Sequence, residues 1–317
     1  MLIGIDIGGT KCAVIKAKTN GDSIEIKEKI RFETKGMSSD EAIALFDSAI
    51  EKMSADERVE SIGISCGGPL DSTKGIIMSP PNLIGWDDVH ITEHFEKKFG
   101  VPCHLENDAN ACALAEWRYG AGKGTENMIF LTFGSGLGAG LILGGRLYSG
   151  TNGNAGECGH IRLSEHGPAG YGKCGSFEGF CSGNGIASLG REKAREALQS
   201  GIKPAFCKNM AELDTITAKS IADAANDGDE TAIEIYRICG EKLGYGLSIL
   251  IDILNPEAIV IGSVFARSEN LLREHAENII AKEALSASAS VCRLLPASLG
   301  EQIGDYAAIA LAQAWDA

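Results

Sequence analysis

The sequence predicts an α/β protein built from two similar halves, and three observations carry that prediction. At 317 residues, 44% of them hydrophobic, the chain exceeds one typical domain and can fill a core in each of two. A strand, a glycine turn and a second strand open the chain at residues 2–17 and return at 127–145 as NMIFLTFGSGLGAGLILGG, which marks a duplicated unit. Finally, VPCHLENDAN at 101–110 runs apolar, then abruptly polar, into helix-favouring ACALAEW. Such a strand delivers side chains to the mouth of a helix, the edge where open α/β sheets hold their ligands.

Charge and cysteine usage narrow the function. Acidic residues outnumber basic ones 43 to 29, for a net charge of −14, which argues against a general binder of nucleic acid or anionic membrane. Ten cysteines are scattered without a CxxC pair, as in a reduced, cytosolic chain. No leader and no apolar run of membrane-spanning length is visible, so a soluble cytoplasmic protein is expected.

Leu2–Ile7 reads as a buried strand, followed by a turn through Gly8, Gly9, Thr10 and Lys11, a second strand, and a third over Ser23–Thr34. The glycines let backbone N–H groups approach an anion, Thr10 and Lys11 add a hydroxyl and a charge, and Asp6 can hold a hydrated divalent cation. This is not a Walker-type loop, which would lead from strand to helix. Residues 39–54 have the apolar spacing of an amphipathic helix. A strand at 61–66 then ends in Gly67, Gly68 and Pro69. Pro80 and Pro81 keep the following segment extended, so Asn82 and Trp86 fall in an irregular loop, Asn82 serving either turn chemistry or a polyol hydroxyl. A short helix at 91–99 leads to the 101–110 stretch. There Asp108 is either a helix cap or a carboxylate that accepts a proton from a hydroxyl, and the helix dipole favours its anion.

The glycine-rich YGAGKGTEN, residues 119–127, marks the domain boundary, giving a smaller part, 1–118, and a larger one, 119–303. Gly134, Ser135 and Gly136 form the second hairpin turn. Residues 151–183 are expected to be irregular, with Glu157 and His160 facing one way if a helical turn forms there, and Glu178 further on. Zinc competes for His160 and Cys174, but the local histidines and cysteines lack paired spacing. Helices are expected at 185–199, 217–226 and 230–254. A strand then turns at Gly262 and Ser263 into an amphipathic helix, which is either a nucleotide-facing junction or a plain connection. A last strand lies in VCRLLPASL and a terminal helix over Asp305–Trp315.

Together these residues resemble the ROK family of sugar kinases and repressors, within the actin-like ATPase superfamily. The resemblance rests on DIGGTK at 6–11, CGGPLD and SPPNLIGW within 66–86, LENDANACALAEW at 105–117, FGSGLGAG at 133–140, GECGH at 156–160, FEGFCSG at 177–183 and VIGS at 260–263. It implies two actin-like, ribonuclease H-like domains around a central cleft, the smaller one joined by a C-terminal helix at 304–317. It also implies ATP, Mg2+ and phosphate transfer to a hexose, with glucose ahead of N-acetylmannosamine, N-acetylglucosamine, mannose, fructose and allose. By that resemblance Asp108 is the general base, and Gly68, Asn82, Asn107, Asp108, Glu157, His160 and Glu178 contact the sugar. Gly8, Gly9, Thr10 and Lys11, with Gly134, Ser135 and Gly136, grip phosphates; Gly262 and Ser263 take the adenosine side; Asp6 organises Mg2+ through water. A homodimer is implied as well.

Two departures stand out. The family's zinc loop joins the histidine of its GH motif to three cysteines in a CxCGxxGC pattern. The matching PAGYGKCGSFEG is slightly shorter, and Ala169 or Gly170, Tyr171 or Gly172, and Ser176 occupy the ligand positions. No structural zinc is expected, and packing or hydrogen bonds must hold the loop that carries Glu178. Ser135 stands where threonine is more frequent, and keeps the hydroxyl. A family repressor would carry a DNA-binding segment ahead of the first phosphate motif; with Asp6 so near residue 1, a repressor is not the expected reading. A silent sugar-binding protein would not need Asp6, Lys11 and Asp108 together.

Overall fold

Every residue of Leu2–Ile7 (β1) except Asp6 is buried, as in a strand covered on both faces. In the computed structural model, which describes residues 1–20 and 23–313, β1 pairs antiparallel with Lys11–Asn20 (β2), and β2 with Ser23–Glu33 (β3). β3 alternates exposed Lys and Glu with covered apolar residues, which suits its place at the sheet edge. Helix α1, Ser39–Met53, starts from a capping box in which the Glu41 N–H donates to Ser38 Oγ and the Ser38 N–H donates back to Glu41. Its buried Phe46 and Ile50 belong to one hydrophobic core with Ile3 and Ile5 of β1, each such side chain contributing about 1.5–3 kcal/mol.

The parallel part of the sheet follows with Ser61–Cys66 (β4) beside β1. Three short strands, Leu70–Asp71 (β5), Ile76–Ile77 (β6) and Val89–His90 (β7), form a separate small sheet, and the loop between β6 and β7 buries Trp86. Helix α2, Ile91–Phe99, ends on Gly100 at φ 68°, a left-handed cap that turns the chain. It delivers Cys103–Asn107 (β8) parallel to β4, and β8 runs straight into α3, Asp108–Tyr119. The order of the first sheet is β3-β2-β1-β4-β8.

The second sheet repeats that order. Its strands are Met128–Leu131 (β9), Ala139–Leu143 (β10), Arg146–Leu147 (β11), Ala258–Ile261 (β14) and Arg293–Pro296 (β15), arranged β11-β10-β9-β14-β15. Between β11 and β14 come the hairpin Ala169–Gly170 (β12) with Lys173–Cys174 (β13), then α4 (Phe177–Phe180), α5 (Gly183–Gln199), α6 (Ala218–Asn226) and α7 (Glu230–Leu254). Between β14 and β15 come α8 (Val264–Arg267), α9 (Glu269–Glu283) and α10 (Ser286–Ala289). The 151–183 segment is therefore less irregular than its glycine content suggests. No helix among the described residues is long and apolar enough to cross a membrane.

The chain divides into two compact units: Met1–Glu126 with Gly140–Ala155 and the stretch from Ser298 onward, and Asn127–Ala139 with Gly156–Ala297. In the first unit, α11 (Ile303–Ala312) covers the sheet face opposite α1. The expected terminal helix thus begins earlier than Asp305, and residues 314–317 lie outside the described residues. A side chain at Gly63 of β4 would place its Cβ 2.2 Å from the Ala308 carbonyl oxygen, so the helix lies directly on the backbone of the strand. Strand alternation then positions Asp6. Leu2, Gly4 and Asp6 share one face; Gly4 lies under Ala308, and the Asp6 carboxylate lies beside Gly304, one helical turn earlier.

Candidate active site

In the first unit, the β1–β2 turn closes with the Gly8 N–H donating to the Lys11 carbonyl at 3.1 Å. Thr10 and Lys11 are exposed, Lys11 within 3.6 Å of the Glu33 carboxylate. A Cβ on Gly9 would fall 2.7 Å from Asn82, so the structure brings one predicted sugar contact against the predicted phosphate turn. Gly68, past the end of β4, faces the Asn107 side-chain amide.

The two readings of Asp108 separate at the start of α3. Asn107 is the N-cap: its backbone is extended, and its Oδ1 accepts the Ala109 N–H at 2.8 Å. Asp108 is the first helical residue, also accepting from Ala109, and its carboxylate keeps an exposed face. The sides not open to solvent are crowded by protein. That desolvation raises its pKa and outweighs the backbone amides that stabilise the anion, so the dipole effect expected from the sequence does not dominate. Burial lifts the Asp6 carboxyl to about 6, helped by the negative charge of Asp305 and opposed by Lys29, which pairs with Asp305.

Negative charge gathers at the Asp6 corner. The carboxylates of Asp305 and Asp108 raise the electrostatic cost of ionising Asp6, against the ammonium of Lys29. Among the described residues no group of three His, Cys, Asp or Glu closes around a metal. Such a corner suits an ion that keeps several of its own waters.

Sequence reasoning gave no role to Glu106, Asn110, Lys29 or Asp305. Buried Glu106 accepts the Asn107 N–H at 2.8 Å and the Asn110 side-chain amide at 3.1 Å, which steadies the strand end that presents Asn107 and Asp108. The available signal was the pair Glu106 and Asn110, spaced as i and i+4 across the strand–helix junction. Lys29 and Asp305 are 276 residues apart and carry no local signal.

In the second unit, the 134–136 turn is closed by the Gly134 N–H donating to the Gly136 carbonyl, and by Thr132, whose Oγ1 accepts the Gly138 N–H. Two neighbours fix it from outside. The Gly183 N–H at the start of α5 donates to the Gly134 carbonyl at 2.7 Å, and the Val264 N–H donates to the Phe133 carbonyl at 3.0 Å. Gly262 and Ser263 therefore lie next to this turn. Ser263 holds φ 51°, a strained backbone for serine, and its hydroxyl accepts from Arg267.

Glu157 precedes a single 3-10 turn, Cys158–His160, so the helical turn on which the Glu157–His160 pairing depends is present, and both side chains are exposed. Glu178, on α4, is half-buried, and its Oε2 accepts the Leu137 N–H at 2.9 Å. Its loop is held by hydrogen bonds and packing. Lys173 Nζ donates to the His160 carbonyl at 2.7 Å, and Arg162 Nη1 to the Cys174 carbonyl at 2.8 Å. The Leu163 and Ser164 N–H groups share the Gly175 carbonyl, fully buried Ser176 caps α4, and Phe177 and Phe180 are buried beneath it. Since these contacts need no metal, exhaustive dialysis against EDTA is expected to leave the Tm unchanged in a thermal melt. A lowered Tm restored by Zn2+ would contradict this.

The model of the ROK family matches residues 2–314. A glucokinase of Halalkalibacterium halodurans is 31% identical over 310 residues, covering 95% of this chain and 92% of that protein. A ROK family glucokinase from Streptomyces griseus, solved in complex with glucose and AMPPNP, gives a TM-score of 0.76 at 29% identity and covers 98% of each chain. A ROK family transcriptional regulator, a homolog of the E. coli MLC protein, gives 0.82 at 26% identity over 98% of this chain and 76% of that one. The α/β fold accordingly matches the two-domain actin-like fold of ROK sugar kinases. From the match along nearly its whole length, and from the repeated sheet that carries the two glycine turns, the chain belongs to the ROK family.

Proposed function

We propose that this chain, an ATP-dependent sugar kinase, phosphorylates glucose at its 6-hydroxyl with Asp108 as general base. The observation that carries this reading is the division of labour at the start of α3: Asn107 caps the helix, which leaves the exposed carboxylate of Asp108 available to a hydroxyl. Desolvation by the protein crowded against its other sides raises the Asp108 pKa, in the direction that improves a base working near neutrality. The sugar hydroxyl gives its proton to Asp108 as the new O–P bond forms and the bond to the ADP leaving group breaks. Such transfers depend mainly on positioning and charge stabilisation.

Gly68, Asn82 and Asn107 are the sugar contacts proposed in the first unit, Asn107 through the side-chain amide that its cap leaves over. Glu157, His160 and Glu178 are those in the second. Gly8, Gly9, Thr10 and Lys11, with Gly134, Ser135 and Gly136, take the phosphates of ATP, and Gly262 and Ser263 the adenosine side. Mg2+ would be held through water by Asp6, and when bound it neutralises phosphate charge. The glucokinase relatives support glucose as the acceptor.

A coupled assay of ADP release tests the reading, with glucose, mannose, fructose, allose, N-acetylglucosamine and N-acetylmannosamine as acceptors. Glucose is expected to give the highest kcat/KM. A higher value for N-acetylmannosamine would move the assignment to an N-acetylhexosamine kinase. ATP consumption unchanged by every sugar would overturn the kinase reading itself.

A further inference from the structure

We propose that Glu178 is a positioning residue that couples sugar binding to the grip on ATP. The inference rests on the reading above, in which Glu178 touches the sugar and the 134–136 turn holds phosphates. One carboxylate oxygen, Oε2, accepts the N–H of Leu137, the residue that follows the turn, at 2.9 Å. The same oxygen lies 2.7 Å from where a Cβ on Gly136 would stand, so the carboxylate packs directly on the turn. Among the described residues Oε1 takes no hydrogen bond, which leaves it for a sugar hydroxyl.

The support behind Glu178 is stiff. Ser176, fully buried, caps α4; the Phe177 N–H donates to the Ile161 carbonyl at 2.7 Å; and the Glu178 side-chain carbons lie where a Cβ on Gly170 would come within 2.9 Å of them. A sugar hydroxyl on Oε1 removes the remaining rotational freedom of that carboxylate, and so fixes the Leu137 N–H and the turn that leads to it. Hydrogen bonds to an ionised carboxylate are the strong ones, and one shared between two ligands' supports transmits order from one to the other. The coupling is reciprocal: sugar tightens ATP, and ATP tightens sugar, by the same factor.

Three variants separate this role from a plain sugar contact. Glu178→Ala removes the acceptor for Leu137 and is expected to weaken AMPPNP binding about tenfold by calorimetry even without sugar, the loss of one charge-assisted hydrogen bond, and to abolish the tightening caused by saturating glucose. Glu178→Gln keeps an amide oxygen for Leu137, so AMPPNP affinity should return toward that of the parent while the KM for sugar stays raised. Gly136→Ala pushes the carboxylate away from the turn side, and should raise the KM for sugar as well as for ATP, with effects that do not add to those of Glu178→Ala. Unchanged AMPPNP affinity in Glu178→Ala, with only the sugar KM raised, would overturn the coupling. That result is distinct from failure of the kinase reading, which shows in the parent enzyme as ATP use indifferent to sugar; the sugar-free AMPPNP measurement tests the link to the turn in either case.

Discussion

Replacing Asp108 by asparagine is expected to lower kcat about 10²–10⁴-fold, the range general-base catalysis supplies, while leaving the fold intact. Asparagine keeps the oxygen that accepts the Ala109 N–H and loses the charge. The pH profile follows from the raised pKa. In the parent, kcat/KM should fall on acidification through a limb lying above the ordinary aspartate range, because the base must be deprotonated. The effect on stability has the opposite sign. A carboxyl whose folded pKa lies above its unfolded value favours the native state below the unfolded pKa, and that contribution is lost as pH rises through the folded pKa. At neutral pH the parent therefore bears the cost of a crowded anion, one that also raises the Asp6 pKa, and the Asn variant does not. Its Tm should exceed that of the parent at pH 7, with the gap closing toward pH 4. Near-normal turnover in the variant would remove Asp108 from the role of base.

The largest effect on stability is expected at Glu116, which is fully buried in α3. Its carboxylate accepts the N–H groups of Ala121 at 2.8 Å, Ser298 at 3.2 Å and Leu299 at 2.9 Å, and the Ser298 hydroxyl at 3.3 Å. It joins the end of α3 to the point where the chain re-enters the first unit. Glu116→Ala leaves those donors without an acceptor, at about 1–3 kcal/mol each. Allowing for relaxation, a loss of roughly 3–5 kcal/mol is expected, or about 10 °C in Tm for a protein of this size. Glu116→Gln keeps an oxygen acceptor and should fall between. Calorimetry of the three proteins checks the order, and equal Tm values for Glu116→Ala and the parent would show that the network contributes nothing.

Glu116 also shows where sequence reasoning stops. It stands inside LENDANACALAEW, and its burial has no signature in an alanine-rich helix; the partners that make burial tolerable arrive from residues 298 and 299. Asp108 and Asn107 present a second such limit. Both residue types cap helices well, and the backbone of Asn107, at φ −61° and ψ 145°, makes it the cap. The 151–183 segment is a third: glycine content suggested irregular chain, yet hydrogen bonds between residues 161–164 and 175–177 order it around Ser176.

What the sequence by itself determined is the repeated strand–turn–strand units, the strand that runs into a helix at Asp108, and membership of the ROK family. These follow from runs of neighbouring residues, whose spacing sets local backbone and strand or helix period. Only the tertiary structure decided that Asp6 faces Gly304, that Lys29 meets Asp305, and that Glu178 holds the amide beyond the second turn. Each of those depends on side chains brought together by the packing of distant segments, where burial and hydrogen bonding, rather than local propensity, select the partner.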